Sequence, residues 1–315
     1  MKKVILTGAT GFLGRKFIEE VSYKDIEIIA VVRNDKSDIS HLIKLNNTRI
    51  IYCDLNNISN LATLVIDKDV DIFYHFAWAG TSGDNRSNVD IQLDNVRATC
   101  ECIKVASKMG CKRFINAGSI VEYETIQQTL MDQSKPSLSN IYSIAKMTAD
   151  FMAKTLAVNL NIDYINCIIS NIYGPGEKSA RFINTTIRKF ISDESCSFTS
   201  GEQLYDFIYI TDAVNAFYII GEKGKCNTNY YIGNPKPKPL KDYIIEMRDV
   251  VNKDINLAFG EIPYCGAELN YSEIDLNKLN DEFNFQSKVD FKQGIQNTVE
   301  WVKMEYLESE EISNE

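Results

Sequence analysis

The sequence predicts an α/β fold: a doubly wound parallel sheet with a smaller α+β lobe toward the C-terminus. Three observations predict it. Short apolar runs of strand length alternate with helix-compatible stretches through the first half of the chain. Those runs are unbroken, as strands covered on both faces require. Beyond Asn171 the alternation weakens and turn residues accumulate.

In chain order, Lys3–Thr7 is a short apolar run ending in glycines, and Gly14–Val21 follows with a helical pattern. Ile26–Val32, Arg49–Cys53, Asp71–Ala77, Lys112–Ala117 and Ile162–Ser170 read as further strands. Polar helix-compatible segments separate them, notably Asn88–Met109, so right-handed crossovers are expected. Asn171-Ile-Tyr-Gly-Pro-Gly176 is a turn-rich exit from the last of these strands. Phe207–Ile210 returns to strand character, and Thr211–Glu222 is a helix with Asp212 near its start. Three of the six prolines fall in Pro235-Lys-Pro-Lys-Pro239, a stiff connector. A last helix is expected near Gly294–Tyr306. The expected division is a sheet domain over 1–170, with 205–232 returning to it. Residues 171–204 and 233–306 form the second lobe, and 307–315 form a frayed acidic tail.

Charge and composition exclude several classes of function. The 315 residues hold 34 Lys and Arg against 43 Asp and Glu, a net charge of −9. So acidic a chain is a poor partner for nucleic acid or an anionic membrane, which need clustered cations. No apolar run approaches the roughly 18 residues of a spanning helix, and Thr7-Gly8 cuts short the apolar run that follows Lys2 and Lys3. The eight cysteines (53, 100, 102, 111, 167, 196, 226 and 265) form no Cys-x-x-Cys pair. Free thiols in a reducing, cytoplasmic setting are therefore expected. Two histidines, His41 and His75, and no Cys/His cluster argue against a metal.

Thr7-Gly8-Ala9-Thr10-Gly11-Phe12-Leu13-Gly14 follows the first strand and opens the first helix. Gly8 permits the tight turn, Gly11 lets a pyrophosphate approach the backbone, and Gly14 allows close packing of the helix. The helix N-terminus then offers unpaired N–H groups to phosphate. This is a Rossmann-type loop, with Gly8, Thr10, Gly11, Phe12, Leu13 and Gly14 as cofactor contacts. The second strand ends Ala30-Val31-Val32-Arg33-Asn34, without the acidic residue that usually binds ribose hydroxyls in NAD sites. Arg33 stands where a 2′-phosphate would lie, and Arg15 follows the loop directly. NADP(H) is favoured on this reading, with NAD(H) the alternative and Asp35 its acid.

Tyr142 and Lys146 lie four apart, on one helical face. A neighbouring ammonium and a positive nicotinamide both favour phenolate in a group whose ordinary pKa is near 10. Such a tyrosine can take a proton from a hydroxyl or give one to a ketone as hydride moves. Ser119, ending the strand in Asn116-Ala-Gly-Ser119, is placed to bond the same oxygen.

With these residues the chain resembles the extended short-chain dehydrogenase/reductase superfamily. Within it, the resemblance is to the NAD-dependent epimerase/dehydratase family that works on nucleotide sugars. It covers almost the whole chain. It rests on TGATGFLG at 7–14, Cys53-Asp54-Leu55, His75-Phe-Ala-Trp-Ala79, Asn95-Val96, Ser119, Tyr142 with Lys146, Asn171-Ile-Tyr-Gly-Pro175 and Asp206-Phe-Ile-Tyr-Ile-Thr-Asp212. Asp275, Lys278-Leu279, Gly294-Ile295, Thr298 and Trp301 match the family's ending. The resemblance implies that Asp54 and Leu55 contact adenine. Ala77 and Ala79 line the ribose and nicotinamide side, and Asn95 supports the centre. Ser119, Tyr142 and Lys146 form a triad, with Tyr142 and Lys146 also touching the cofactor. Asn171 helps hold a substrate diphosphate, Trp78 borders the substrate, and His75 is a packed strand-end residue. A homodimer through Asn88–Met109 and Tyr142–Leu160 is implied as well.

The departures narrow the chemistry. The dehydratases carry an Asp-Glu pair directly after the catalytic hydroxyl residue, where this chain has Ile120-Val121, and Glu122 comes one place too late. The 3,5-epimerising reductases place a cysteine where Val121 stands. Redox at one carbon remains, most simply reduction of a 4-keto-6-deoxy sugar at C4 with Tyr142 as proton donor. A 4-epimerase with tightly bound NAD is the alternative. A non-catalytic cofactor sensor or scaffold is a third reading, disfavoured by the intact triad. The family's diphosphate-binding arginines are absent, since Gln203-Leu204-Tyr205 precedes Asp206 and Ile168 stands three before Asn171. A buried dianion needs partners, and Lys178, Arg181 and Arg188 are the candidates.

Overall fold

The computed structural model describes residues 1–130, 136–264 and 269–313, with side chains through Leu307. Cys265 and the end of the acidic tail lie outside the described residues. Two compact units are present. The first comprises residues 1–169, 214–232 and 278–285; the second comprises 170–213, 233–277 and 286–315.

The first unit opens with β1 (Lys3–Thr7), whose last four residues are buried, and α1 (Phe12–Ser22). Then come β2 (Glu27–Val32), β3 (Thr48–Tyr52), the single turn α2 (Leu61–Leu64) and β4 (Ile72–His75). Helix α3 (Val89–Lys108) is capped by the Asn88 side chain, which accepts the Ile91 N–H. It is followed by β5 (Arg113–Ser119), α4 (Val121–Thr129), α5 (Asn140–Asn159) and β6 (Asp163–Ile169). Alanines 145, 149, 153 and 157 form a buried stripe at four-residue spacing along α5, a small-residue face that packs closely. Tyr142, Lys146 and Asp150 are buried beside that stripe.

In the second unit, β7 (Asn171–Tyr173) precedes α6 (Phe182–Ile191), β8 (Cys196–Phe198), β9 (Leu204–Tyr205) and β10 (Phe207–Tyr209). The chain then runs through α7 (Ile210–Lys223) to β11 (Thr228–Ile232) in the first unit. It continues as β12 (Lys238–Pro239), α8 (Leu240–Val251), β13 (Leu257–Phe259), α9 (Lys278–Phe283) and α10 (Phe291–Ser313).

The main sheet has seven parallel strands in the order β11-β6-β5-β4-β1-β2-β3. The order reverses between β1 and β4. The crevice beyond the strand ends at such a reversal is where open α/β sheets bind ligands. Stacked rings of Phe73, Phe114 and Tyr164 fill one side of the sheet, with centroids 5.1 and 6.1 Å apart.

The second unit is built from short strand pairs: β7 with β10, β8 with β13, and β9 with β12. Its core gathers Tyr173, Phe207, Tyr243 and Phe291. The fully buried Asp206 accepts the Tyr271 hydroxyl at 3.0 Å and the Asn234 N–H at 2.9 Å. Residues 205–213 stay with this unit because β10 pairs with β7, whereas α9 returns to the first, where Glu282 accepts the Tyr230 hydroxyl. The proline segment is partly a strand, and α10 continues past Tyr306 to Ser313.

Candidate active site

The glycine loop takes the geometry its spacing requires. Gly8 has φ +78°, and the Gly11 N–H returns to Gly8 O at 3.0 Å. A Cβ at Gly8 would stand 2.7 Å from Ala77 N, and one at Gly14 would stand 2.1 Å from Gly8 O. Both positions therefore exclude a side chain, the second because α1 packs onto the turn itself. The loop opens onto a cavity of about 580 Å³ in the first unit, a size suited to a cofactor.

Of the expected cofactor contacts, Gly8, Thr10, Gly11, Arg15, Arg33, Asp54, Leu55, Ala77, Ala79 and Asn95 line this cavity, together with Trp78. Phe12, Leu13 and Gly14 belong to the first turn of α1 and do not line it; Tyr142 and Lys146 do not line it either. Three carboxylates, Asp38, Asp54 and Asp94, also line the cavity, and Asp38 Oδ2 accepts from Arg15 Nη2 at 2.9 Å. Bonds from Ser40 and then from Arg15 hold the Asp38 carboxyl well below the usual range. Asp35, the acid suggested by the sequence, is not among the lining residues.

Polar side chains fix the loop after β4. Asn95 Nδ2 donates to Ala79 O at 2.8 Å, and Asn95 Oδ1 accepts the Ala79 N–H at 2.9 Å. Gln92, one turn earlier and 1% exposed, accepts from Trp78 Nε1 at 2.8 Å and donates to Gly80 O and Asn85 O. His75 sits between Thr7 Oγ1 at 2.8 Å and Thr99 Oγ1 at 3.1 Å. Burial, reinforced by the Lys146 charge, pushes its imidazole down to about 3, so it is neutral and structural.

Lys146 Nζ donates to Ala117 O at 2.9 Å, tying α5 to β5 two residues before Ser119. It lies 3.7 Å from the Trp78 ring centroid, and Trp78 meets Tyr142 edge-on at 6.1 Å. The Arg86 guanidinium lies 4.1 Å from the centre of the Tyr142 ring. Sequence reading missed Arg86, Gln92 and Asp38. Only the position of Gln92, three before Asn95 on one helical face, offered a signal.

In the second unit the predicted residues divide. Asn171 Nδ2 donates to Asp206 O at 3.0 Å and borders a small cavity of about 40 Å³ with Arg181. Arg181 Nε faces Glu177 at 3.7 Å. Lys178 and Arg188 both pair with Glu305 and border a separate, open depression of about 340 Å³. The three cations do not converge.

Among the described residues no His, Cys, Asp or Glu cluster is placed to hold a metal, and no helix is long and apolar enough to cross a membrane.

The chain is similar to CDP-abequose synthase of Salmonella typhimurium strain LT2, 27% identical over 93% of this chain and 96% of that one. It is also similar to dTDP-4-dehydro-6-deoxyglucose reductase of Escherichia coli, 24% identical over 95% and 97% of the two chains. Among solved structures, the Bordetella bronchiseptica enzyme WbmF, in complex with NADH, superposes with a TM-score of 0.79. It is 18% identical, over 99% of this chain and 94% of that one. The sequence profile of the NAD dependent epimerase/dehydratase family matches residues 4–233, from the first strand beyond the glycine loop and the Tyr142–Lys146 helix to the end of the main sheet. By that match, the chain belongs to the NAD-dependent epimerase/dehydratase family.

Proposed function

We propose that the protein is a nucleotide-sugar 4-ketoreductase, reducing a 4-keto-6-deoxy sugar at C4. The carrying observation is the pairing of an intact Ser119, Tyr142 and Lys146 set with an apolar Ile120-Val121 step. Glu122, the nearest carboxyl after that step, is 3% exposed and bonded to the Ser119 N–H and to Asn166. It is turned inward, away from the role of an acid or base in eliminating water from the sugar. One relative similar over nearly its full length is named a dTDP-4-dehydro-6-deoxyglucose reductase, and another is a CDP-sugar synthase.

The nicotinamide supplies hydride when bound. The residues present fit such a group: glycines where a Cβ would close the cradle, and a cavity bordered by Asp54 and Leu55 at one part and Ala77 and Ala79 at another. NAD(H) is the better supported form. Asp38 provides a carboxylate for ribose hydroxyls, and the Bordetella bronchiseptica enzyme was solved with NADH. Arg33 is the feature that keeps NADPH as the competitor. Ser119 and Tyr142 hold the ketone oxygen, Tyr142 delivers the proton, and the Lys146 ammonium keeps the developing phenolate bound. Asn171 with Arg181 is the side-chain pair proposed for the diphosphate, and Lys178 with Arg188 a second, separate cationic pair. The exposed Phe151, Met152 and Val158 on α5 support a homodimer, which sedimentation tests.

The decisive experiment offers CDP- and dTDP-linked 4-keto-6-deoxy sugars with NADH and with NADPH. Stoichiometric loss of reduced nicotinamide is expected. Interconversion of 4-hydroxy epimers with no net change in nicotinamide would overturn the reductase in favour of the 4-epimerase.

A further inference from the structure

We propose that Glu122 is a positioning residue of the reaction centre: its carboxyl holds the Ser119 N–H at the end of β5, leaving the serine hydroxyl for substrate. The inference rests on Ser119, Tyr142 and Lys146 being the reacting set. Ser119-Ile-Val-Glu122 has the spacing of a capping box, in which the serine hydroxyl accepts a helix N–H and the glutamate reaches back to the serine N–H. Here only half of the box is made. Glu122 Oε1 accepts the Ser119 N–H at 2.7 Å, while Ser119 Oγ makes no hydrogen bond among the described residues.

The other carboxyl oxygen points inward, where an ordinary cap would face water. Glu122 Oε2 accepts from Asn166 Nδ2 at 3.1 Å, and Asn166 Oδ1 accepts from Asn116 Nδ2 at 2.9 Å. Gly118 makes room for this. A Cβ there would lie 2.9 Å from Glu122 Oε1 and 2.6 Å from Asn166 Oδ1. The residues on either side of Gly118 are both gripped by ionisable side chains: Ala117 O by Lys146 from α5, and Ser119 N by Glu122 from α4. The end of β5 is thereby fixed from two elements.

The charged and titratable groups around Glu122 are Lys146 and Asp150 on α5 and Tyr164 on β6, whose hydroxyl donates to Asp150 at 2.8 Å. Burial first, then the Asp150 carboxylate, push Glu122 up to about 8, with Lys146 opposing. The carboxyl is therefore neutral in the resting protein. Above about pH 8 it becomes an anion beside Lys146 and draws on the charge that serves Tyr142.

The test compares wild type, E122Q and E122A. Gln keeps an oxygen for the Ser119 N–H and cannot titrate; Ala loses both. With turnover as the readout, E122A should lose tenfold or more in kcat with less change in KM. E122Q should lose less, and the wild-type decline through about pH 8 should disappear from its profile. An E122A protein with lowered Tm but wild-type kcat and pH profile would show a merely structural cap and overturn the proposal. A second readout needs no substrate. In a W301F background, Trp78 is the only tryptophan left of the two, and it lies against Lys146 and Tyr142. Its fluorescence should show a transition near pH 8 that E122Q removes; identical titrations would overturn the proposal. Failure of turnover with a positive titration would count against the reductase reading alone.

Discussion

Lowering the pH should unfold this protein largely through one buried imidazole. His75 is 2% exposed and hydrogen bonded at both nitrogens. Its folded value of about 3 lies far below the ordinary 6.5 because protonation would place a cation in a dry site near Lys146. The unfolded chain binds the proton below 6.5 and the folded chain does not, so stability is complete above 6.5 and is lost as pH falls toward 3. Each pH unit in that window costs about 1.4 kcal/mol, and the whole interval at most roughly 5 kcal/mol. Domains commonly have about 5–15 kcal/mol in total, so this term alone brings unfolding within reach of mild acid. Urea melts at a series of pH values on wild type and H75Q measure it, since glutamine can bond both threonines without titrating. H75Q should start less stable and show a slope flatter by up to ~1.4 kcal/mol per pH unit. Equal slopes would refute the reasoning. So would an NMR titration of the two histidines in which both protonate near 6.5.

Three further outcomes follow from the site. Y142F should retain nicotinamide binding in a fluorescence titration while losing about 10²- to 10⁴-fold in kcat, the usual share of a general acid. G14A should abolish the thermal stabilisation given by dinucleotide, because its Cβ would lie 2.1 Å from Gly8 O in the turn that carries the loop. D38A removes the cavity carboxylate that pairs with Arg15 and releases that arginine. It should shift the ratio of NADH to NADPH affinity about tenfold toward NADPH, roughly 1.4 kcal/mol, measured by paired titrations.

Much of the first unit was legible because its signals are local. Apolar runs mark the strands, three-residue glycine spacing marks the turn, and Asn88 marks the start of α3. Tyr142 and Lys146 share a face because four residues make about one turn. The rest depends on contacts distant in sequence. Asp38 joins the cavity through a loop beyond β2, where strand-end reasoning stops. Glu122 was judged only by its place after Ser119, whereas its role depends on Asn166, 44 residues on. The exchange of 205–213 and α9 between units is set by strand pairing and by the Tyr230–Glu282 bond, which no periodicity encodes.

The net charge of −9 bears on the chemistry through this same arrangement. A phenol that must donate a proton and hold an anion needs a positive local field. At Tyr142, Lys146 one turn along α5 and Arg86 against the ring face contribute to that field. Both work only while nearby acids do not cancel them. Glu122 remains neutral up to about pH 8, and His75 cannot add a competing cation until about pH 3. Lys146 Nζ donates to the Ala117 carbonyl and faces the Trp78 ring, contacts that orient the ammonium. Replacing Arg86 with Gln removes the cation that lies 4.1 Å from the centre of the Tyr142 ring, and should lower kcat while dinucleotide binding is retained. An R86Q kcat equal to that of wild type would remove Arg86 from this account.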